Sequence, residues 1–244
     1  MRDLAKRWIN GLLLPFGYRI SHLPANRFDA MSDMLQCLRR FGYEPRIVID
    51  GGANMGQWTR LACSIFPEAI FHLIEPQAAC RTSLEETASH LRSGRIHAAA
   101  LTEPGVKTVQ MIGADGTTGA WISDQATADS VAVAAVTLDD LIAVEPGDRA
   151  LLKLDLENRE LNALRGALRL LQQVEVVITE VSFYRPPASD GGPLFEDILT
   201  FLRDCGFDLY DFASLASPIG NGRLRTGDAV FLRRTSPLAQ QRYW

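Results

Sequence analysis

Apolar residues along this chain alternate between two periods. Short runs rich in Val, Ile and Leu, namely Ile47–Asp50, Ile70–Glu75, Ile96–Leu101, Leu151–Asp155 and Val174–Glu180, read as buried strands. Between them, Gly56–Phe66, Pro76–Leu91 and Glu160–Leu171 space their apolar residues as helices do. Ahead of the first strand, Arg27–Gly42 predicts a helix, with Phe28, Met31, Leu35, Leu38 and Phe41 near one face. Gly42 ends that helix and Pro45 blocks its continuation. Two short strands, Val106–Ile112 and Val131–Val136, enclose a polar, glycine-dotted loop that ends at Trp121. Thr137 then caps a helix start, with Asp139 and Asp140 favourable in its first turn. A loop over 183–193, a helix Leu194–Cys205, a strand Phe207–Phe212, a loop Ser217–Gly227 and a last strand Ala229–Arg233 complete the pattern.

Strands alternating with helices demand an α/β fold: a mostly parallel sheet covered by helices on both faces. Ligands bind such sheets at the carboxyl ends of the strands, where the strand order reverses. Asp50, Glu75, Asp155 and Glu180 all fall at such ends. The chain divides into an N-terminal helical cap over 1–44 and one domain over 45–244.

Composition narrows the function. With 47% of its 244 residues apolar, the chain can build a sizeable core, and a net charge of −4 gives no case for nucleic-acid binding. Cys37, Cys63, Cys80 and Cys205 stand singly among apolar positions, as packed thiols of a reducing compartment do, so a cytoplasmic protein is expected. His22, His72, His90 and His97 have no ligand spacing with them; a divalent metal at the acidic positions is allowed but not indicated. No apolar run approaches the length of a membrane span. Arg2, Lys6, Arg7 and Trp8 give residues 1–20 a basic, amphipathic character, which suits a packed cap or peripheral contact with a membrane or lipid-linked acceptor.

The chemistry centres on Asp50-Gly51-Gly52-Ala53-Asn54-Met55-Gly56. A strand runs into an acid, a glycine turn follows, and a helix begins. Gly52 and Gly56 let the backbone approach a ligand, and Glu75, ending the next strand, is placed to meet ribose hydroxyls. The turn also fits a dinucleotide fingerprint with one substitution, Gly51-x-Ala53-x-x-Gly56. A carboxylate directly before the turn repels a pyrophosphate and attracts a cation, which favours S-adenosylmethionine over NAD. Gly51, Asn54 and Pro76 complete the expected cofactor set.

A second constellation is Lys153-Leu154-Asp155-Leu156-Glu157. Alternation points Lys153 and Asp155 to one side of their strand. Asp155 is placed to face the cofactor, Glu157 is a second candidate base, and Glu180 with Tyr184 and Arg185 is placed to line the acceptor side.

These segments, together with Ile74-Glu75-Pro76, Val136-Thr137-Leu138-Asp139-Asp140-Leu141 and Ile178-Thr179-Glu180, resemble the FkbM family of S-adenosylmethionine-dependent methyltransferases over roughly residues 45–185. The resemblance implies a seven-stranded Rossmann-like methyltransferase sheet, mostly parallel with the last strand antiparallel. It implies O-methylation of a hydroxyl on a sugar, glycolipid or secondary metabolite. It assigns Asp50, Gly52, Asn54, Gly56 and Glu75 to the cofactor and Asp155 and Glu157 to the reaction edge. Gly51 stands where the family usually has a valine-like residue, and Asn158 where it usually has glycine. A nicotinamide-dependent oxidoreductase and a cofactor-binding module without transfer activity are the rival readings.

Overall fold

A computed structural model describes residues 27–116, 119–123, 125–145, 147–185, 191–217 and 223–240. The basic segment over 1–20 lies outside the described residues. The first described element is helix α1, Arg27–Arg40. It ends as the sequence requires: Gly42 takes φ 88°, Tyr43 N–H donates to the Leu38 carbonyl at 3.0 Å and Gly42 N–H to Arg39 at 2.9 Å. These two bonds are the Schellman closure, which needs a left-handed residue at that point.

The main sheet then forms from β1 (Ile47–Gly51), β2 (Ile70–Ile74), β3 (Ser93–His97), β8 (Ala150–Leu154), β9 (Val174–Ser182), β10 (Phe207–Ala216) and β11 (Thr226–Arg233). Its spatial order is β10-β11-β9-β8-β1-β2-β3. Strands β3, β2, β1, β8 and β9 run parallel. The last strand, β11, is antiparallel to both neighbours and inserts between β9 and β10. The seven-stranded expectation is therefore met, with the antiparallel strand inside the sheet.

Period-2 alternation splits the core into two layers. On one face Val48, Phe71, Leu151 and Ile178 pack against α1, α2 (Gln57–Ile65) and α3 (Arg81–Ser89). On the other, Ile49, Ile74, Leu152 and Val177 pack against α4 (Leu138–Leu141), α5 (Glu160–Arg165) and α6 (Phe195–Asp204). Met31, Met34, Leu35 and Leu38 of α1 belong to the first layer, so this part of the expected cap is built into the core.

Three expectations need correction. The run Ile96–Leu101 is not one strand. β3 stops at His97, and β4 (Ala100–Leu101) leaves to pair with β7 (Ser130–Val136) in a second sheet, ordered β4-β7-β5-β6, with β5 (Thr108–Ile112) and β6 (Trp121–Ser123). Apolar pattern marks a strand but not its partner. His97 thus ends β3 instead of beginning it, and its ring stacks on that of His72 with centroids 5.2 Å apart. Lastly, the helix expected over Glu160–Leu171 breaks at Gly166. A Cβ there would stand 2.2 Å from the Thr102 carbonyl oxygen, and Gly166 O accepts from Asp139 N–H at 2.9 Å. Asp139 in turn accepts from Arg169 and Leu170 N–H at 2.9 and 2.8 Å, restarting the chain beyond the break.

Candidate functional site

The strand order puts β1 between β2 and β8, so the turns after these three strands share one edge of the sheet. The turn after β1 is the tightest. Gly52 takes φ 77°, Asn54 φ 46° and Gly56 φ 78°, a left-handed region where a side chain is tolerated best on asparagine. Gly52 and Ala53 N–H donate to the Ile74 carbonyl at 3.0 and 3.1 Å. A Cβ on Gly52 would lie 2.0 Å from the Asp155 carbonyl oxygen. Only glycine lets these two backbones approach so closely.

Glu75 closes the turn from the β2 side. One oxygen accepts from Asn54 N–H at 2.9 Å, the other from Gln77 N–H at 2.9 Å. Burial raises its pKa, and those N–H bonds and Lys153 oppose the rise. The Gln77 side chain hydrogen-bonds Glu75 as well, and the carboxylate keeps acceptor capacity for a ligand. Gly52, Asn54, Glu75 and Pro76 form one wall of an open cleft of about 690 Å³. Leu101, Met111, Trp121 and Ile122 supply an apolar wall opposite, and Asp155 and Glu157 stand at its end. That opposite wall comes largely from the second sheet. Gln77 accepts from Gly116 N–H at 2.9 Å and Arg159 donates to the Ile122 carbonyl at 3.0 Å, tying the small sheet down on both sides of the cleft.

Asp50 lies beneath this rim instead of on it. It is fully buried, with one oxygen accepting from Lys153 Nζ at 3.0 Å and the other from Thr59 Oγ1 at 2.6 Å. Lys153 also donates to the Gly52 carbonyl at 3.2 Å. Burial acts to lower the Lys153 pKa, but the charges of Asp50 and Asp155 outweigh it and the net direction is upward. The pair acts from inside: it holds β1, β8 and the glycine turn together. The expected direct contact between Asp50 and a cationic donor is replaced by this support. Gly51 likewise belongs to the buried end of β1, and its carbonyl accepts from Asp155 N–H at 3.1 Å.

The carboxylates after β8 and along β9 do converge. Asp155 lies 3.1 Å and Glu180 3.5 Å from the guanidinium of Arg27, whose other contact is a fork onto Asp228. Glu157 lines both the 690 Å³ cleft and an adjoining one of about 650 Å³ bounded by Glu180, Tyr184 and Arg225. Burial and the Asp155 charge raise the Glu157 pKa, with Arg27 and Arg225 opposing. Burial, then Asp155, pushes Glu180 up to about 8, again against Arg27. Glu160, buried, anchors the turn by accepting from Leu156 N–H at 2.7 Å, and burial pushes it up to about 7. Asn158 takes φ 73° directly after Glu157 at φ 50°, so the turn keeps the left-handed geometry that glycine would supply. Among the described residues, no group of three or more His, Cys, Asp or Glu is arranged to hold a metal ion.

Arg27 and Asp228 were not legible as site residues. Asp228 left a trace, an acid directly before the strand Ala229–Arg233; in the structure it is 2% exposed. Arg27 left none, since a basic residue at a helix start is unremarkable in sequence.

Raised carboxyl groups make stability depend on pH. Glu180 binds its proton up to about pH 8 when folded but only to about 4.3 when unfolded. The folded state therefore holds more protons between those values, and stability falls as pH rises through them. Glu180→Gln is expected to flatten the fall in melting temperature between pH 5 and 8 (about the window set by those two values). Thermal melts across that range would check it; an unchanged slope would contradict it.

A family model described as the methyltransferase FkbM domain matches residues 50–209. No curated protein matches the chain. Among solved structures, magnesium protoporphyrin IX methyltransferase from Synechocystis PCC 6803 with bound SAM is similar at 10% identity, covering 95% of this chain and 96% of that one, with a TM-score of 0.46. The 1,6-didemethyltoxoflavin-N1-methyltransferase of Burkholderia thailandensis is similar at 14% identity, covering 86% and 79%, with a TM-score of 0.47. Precorrin-6y C5,15-methyltransferase from Geobacter metallireducens GS-15 is similar at 9% identity, covering 83% and 88%, with a TM-score of 0.45.

Proposed function

The chain belongs to the FkbM methyltransferase family, and from that premise we propose that it transfers a methyl group from S-adenosylmethionine to a hydroxyl oxygen of a sugar, glycolipid or secondary metabolite. The observation that carries this reading is the meeting of two clefts at Glu157: one has the Glu75 carboxylate and the glycine turn on its wall, the other is lined by Glu180, Tyr184 and Arg225.

The residues of the first cleft fit the donor. Gly52 lets the turn pack directly on the Asp155 backbone, and Glu75 keeps acceptor capacity for the ribose hydroxyls. Pro76, Asn54 and the apolar residues Leu101, Met111 and Trp121 would enclose the adenosine. Asp155, close to the fixed charge of Lys153 at 3.9 Å, would orient the cationic amino-acid end. When bound, the sulfonium donor supplies an already activated methyl group.

What remains for the protein is alignment and one proton. Glu157 takes the proton of the acceptor hydroxyl. Its raised pKa brings the carboxyl nearer to neutrality, where a base is both ionised and able to accept. Glu180 and Tyr184 hold the acceptor. Lys153 acts at one remove, keeping the turn and Asp155 in place.

Calorimetry with S-adenosylmethionine and with NAD, followed by turnover on a panel of hydroxylated acceptors, tests the reading. Binding of the methyl donor alone, with methyl ethers as products, is expected. Exclusive NAD binding would overturn it, and donor binding without methylation across the panel would favour a module without transfer activity. Glu157→Gln is expected to lower turnover by ~100-fold while leaving donor affinity within about threefold, as loss of a general base should. Turnover of this variant at the wild-type rate would remove Glu157 from that role.

A further inference from the structure

We propose that Arg27, the first residue of α1, is a positioning residue for methyl transfer, its guanidinium spanning the carboxylates of Asp155, Glu180 and Asp228 and holding the acceptor side of the cleft together. The inference rests on the reading of the two clefts given above. Arg27 and Asp228 both lie outside the segment 50–209 that matches the family model, so the clamp comes from parts of the chain that the family's motifs do not include.

The geometry is that of an anchored fork. Arg27 Nε donates to Asp228 Oδ2 at 2.6 Å and Nη2 to Asp228 Oδ1, a paired contact suited to the planar guanidinium. Asp228 is held in turn by the Ser214 hydroxyl and is almost wholly buried. With that end fixed, the two outer nitrogens reach Asp155 at 3.1 Å and Glu180 at 3.5 Å. The register of the sheet sets Asp228 directly beside Glu180 across β11 and β9. Burial of Met31, Leu35 and Leu38 of α1 in the core fixes the helix that carries Arg27.

The charge balance of the site makes this cation necessary. Glu180 feels Asp155 and Glu157 from the turn after β8, Glu160 from α5 and Arg27 from α1, and it neighbours Asp228 on β11. Lys153 is already committed to Asp50 at 3.0 Å. Arg225, which acts on Glu157, lines the outer cleft with Glu180. Without Arg27, several carboxylates would share one edge with little compensation, and Glu157 and Glu180, whose rise Arg27 opposes, would hold their protons to higher pH. The acceptor side would then lose both its shape and its capacity to take a proton near neutral pH.

The experiment uses the full chain with Arg27→Gln and Arg27→Lys, and follows the Glu180 carboxyl by carbon-13 NMR during a pH titration, with neither donor nor acceptor present. Arg27→Gln is expected to raise the Glu180 midpoint by about one pH unit, the scale for losing an opposite charge at this range. It should move the acidic limb of the turnover profile the same way. Arg27→Lys, a point charge that cannot span the carboxylates, should give an intermediate midpoint. An unmoved Glu180 midpoint in folded Arg27→Gln would overturn the proposal. So would faster turnover in that variant, which would make the guanidinium an obstruction to the acceptor. Should Arg27→Gln fail to fold by circular dichroism, Arg27→Lys decides: a wild-type midpoint and wild-type turnover overturn it. Because the titration needs no methyl transfer, a wild-type protein that methylates nothing tested would count against the proposed function and leave the Arg27 result to stand or fall by itself.

Discussion

Asp50→Ala is expected to lower the unfolding free energy by about 3–5 kcal/mol, the cost of removing one partner from a buried ion pair. Lys153 would be left buried, its ammonium retaining the Gly52 carbonyl at 3.2 Å, the more distant Asp155 at 3.9 Å and the Trp58 ring with its centroid at 5.8 Å. Thr59 would lose its acceptor at the same time. Donor binding should fail in this variant, but as a consequence of a loosened turn and not of a lost contact to the donor. The double variant Asp50→Ala, Lys153→Met separates the two explanations. With no charge left in the interior, most of the lost stability should return, because an ion pair replaced by apolar groups is often neutral. Chemical denaturation of wild type, both single variants and the double variant forms the cycle. An Asp50→Ala protein as stable as wild type, yet unable to bind S-adenosylmethionine, would put the carboxylate on the donor itself.

That prediction turns on a distinction the sequence could not draw. Position alone placed Asp50 at a strand end before a glycine turn, which suits a ligand contact and an internal support equally well. What decides between them is whether a cation from a neighbouring strand reaches the carboxylate first. Lys153 and Asp50 are paired directly across β8 and β1 in the sheet register, a fact of topology that appears only once the strands are ordered. Glu75 differs: it lines the cleft, and its hydrogen-bond partners, Asn54 and Gln77, are neutral groups that leave the carboxylate acceptor capacity.

The parallel part of the fold was legible for a physical reason. Buried parallel strands are continuous apolar runs, and α2 and α5 between them end beside Pro67 and Gly166, residues that a helix interior tolerates poorly. The pattern failed where small residues carry the chain between sheets. Ala98, Ala99 and Ala100 give no periodic signal, so the crossing from β3 to β4 was invisible, and so was β6, three residues within a loop. This matters for function, because β5 and β6 deliver Met111, Trp121 and Ile122 to the cleft. The part of the cleft wall given by Ala99, Ala100, Trp121 and Ile122 therefore came from stretches where the hydrophobic pattern was weakest.

Gly52→Ala is expected to cost about 3 kcal/mol or more, combining the strain of a left-handed alanine with the overlap of its methyl group. The overlap is with backbone: the Asp155 carbonyl oxygen would stand 2.0 Å from the new Cβ. That oxygen cannot swing aside freely, since Leu156 N–H, in the same peptide unit, is bonded to Glu160 at 2.7 Å. Either the glycine turn opens, and Asn54 N–H leaves Glu75, or the residues after β8 withdraw from the cleft. Both outcomes separate the groups proposed to hold the donor from those proposed to take the proton. Donor affinity should fall by ~100-fold or more if most of that strain is relieved by opening the site. Gly51→Val is the control, one residue away. Its Cβ would meet the Leu154 and Leu101 methyl tips at 2.8 and 2.9 Å, side chains that can give way, and stand 3.3 Å from the Lys153 carbonyl oxygen; Gly51 is not among the left-handed glycines. It should bind the donor within about tenfold of wild type, the scale of an overlap that neighbouring leucine side chains can absorb. Calorimetry on the two variants side by side reads the difference. If Gly52→Ala bound S-adenosylmethionine as wild type does, the turn could not be what receives it, and the donor site would have to be sought away from the carboxyl edge of β1.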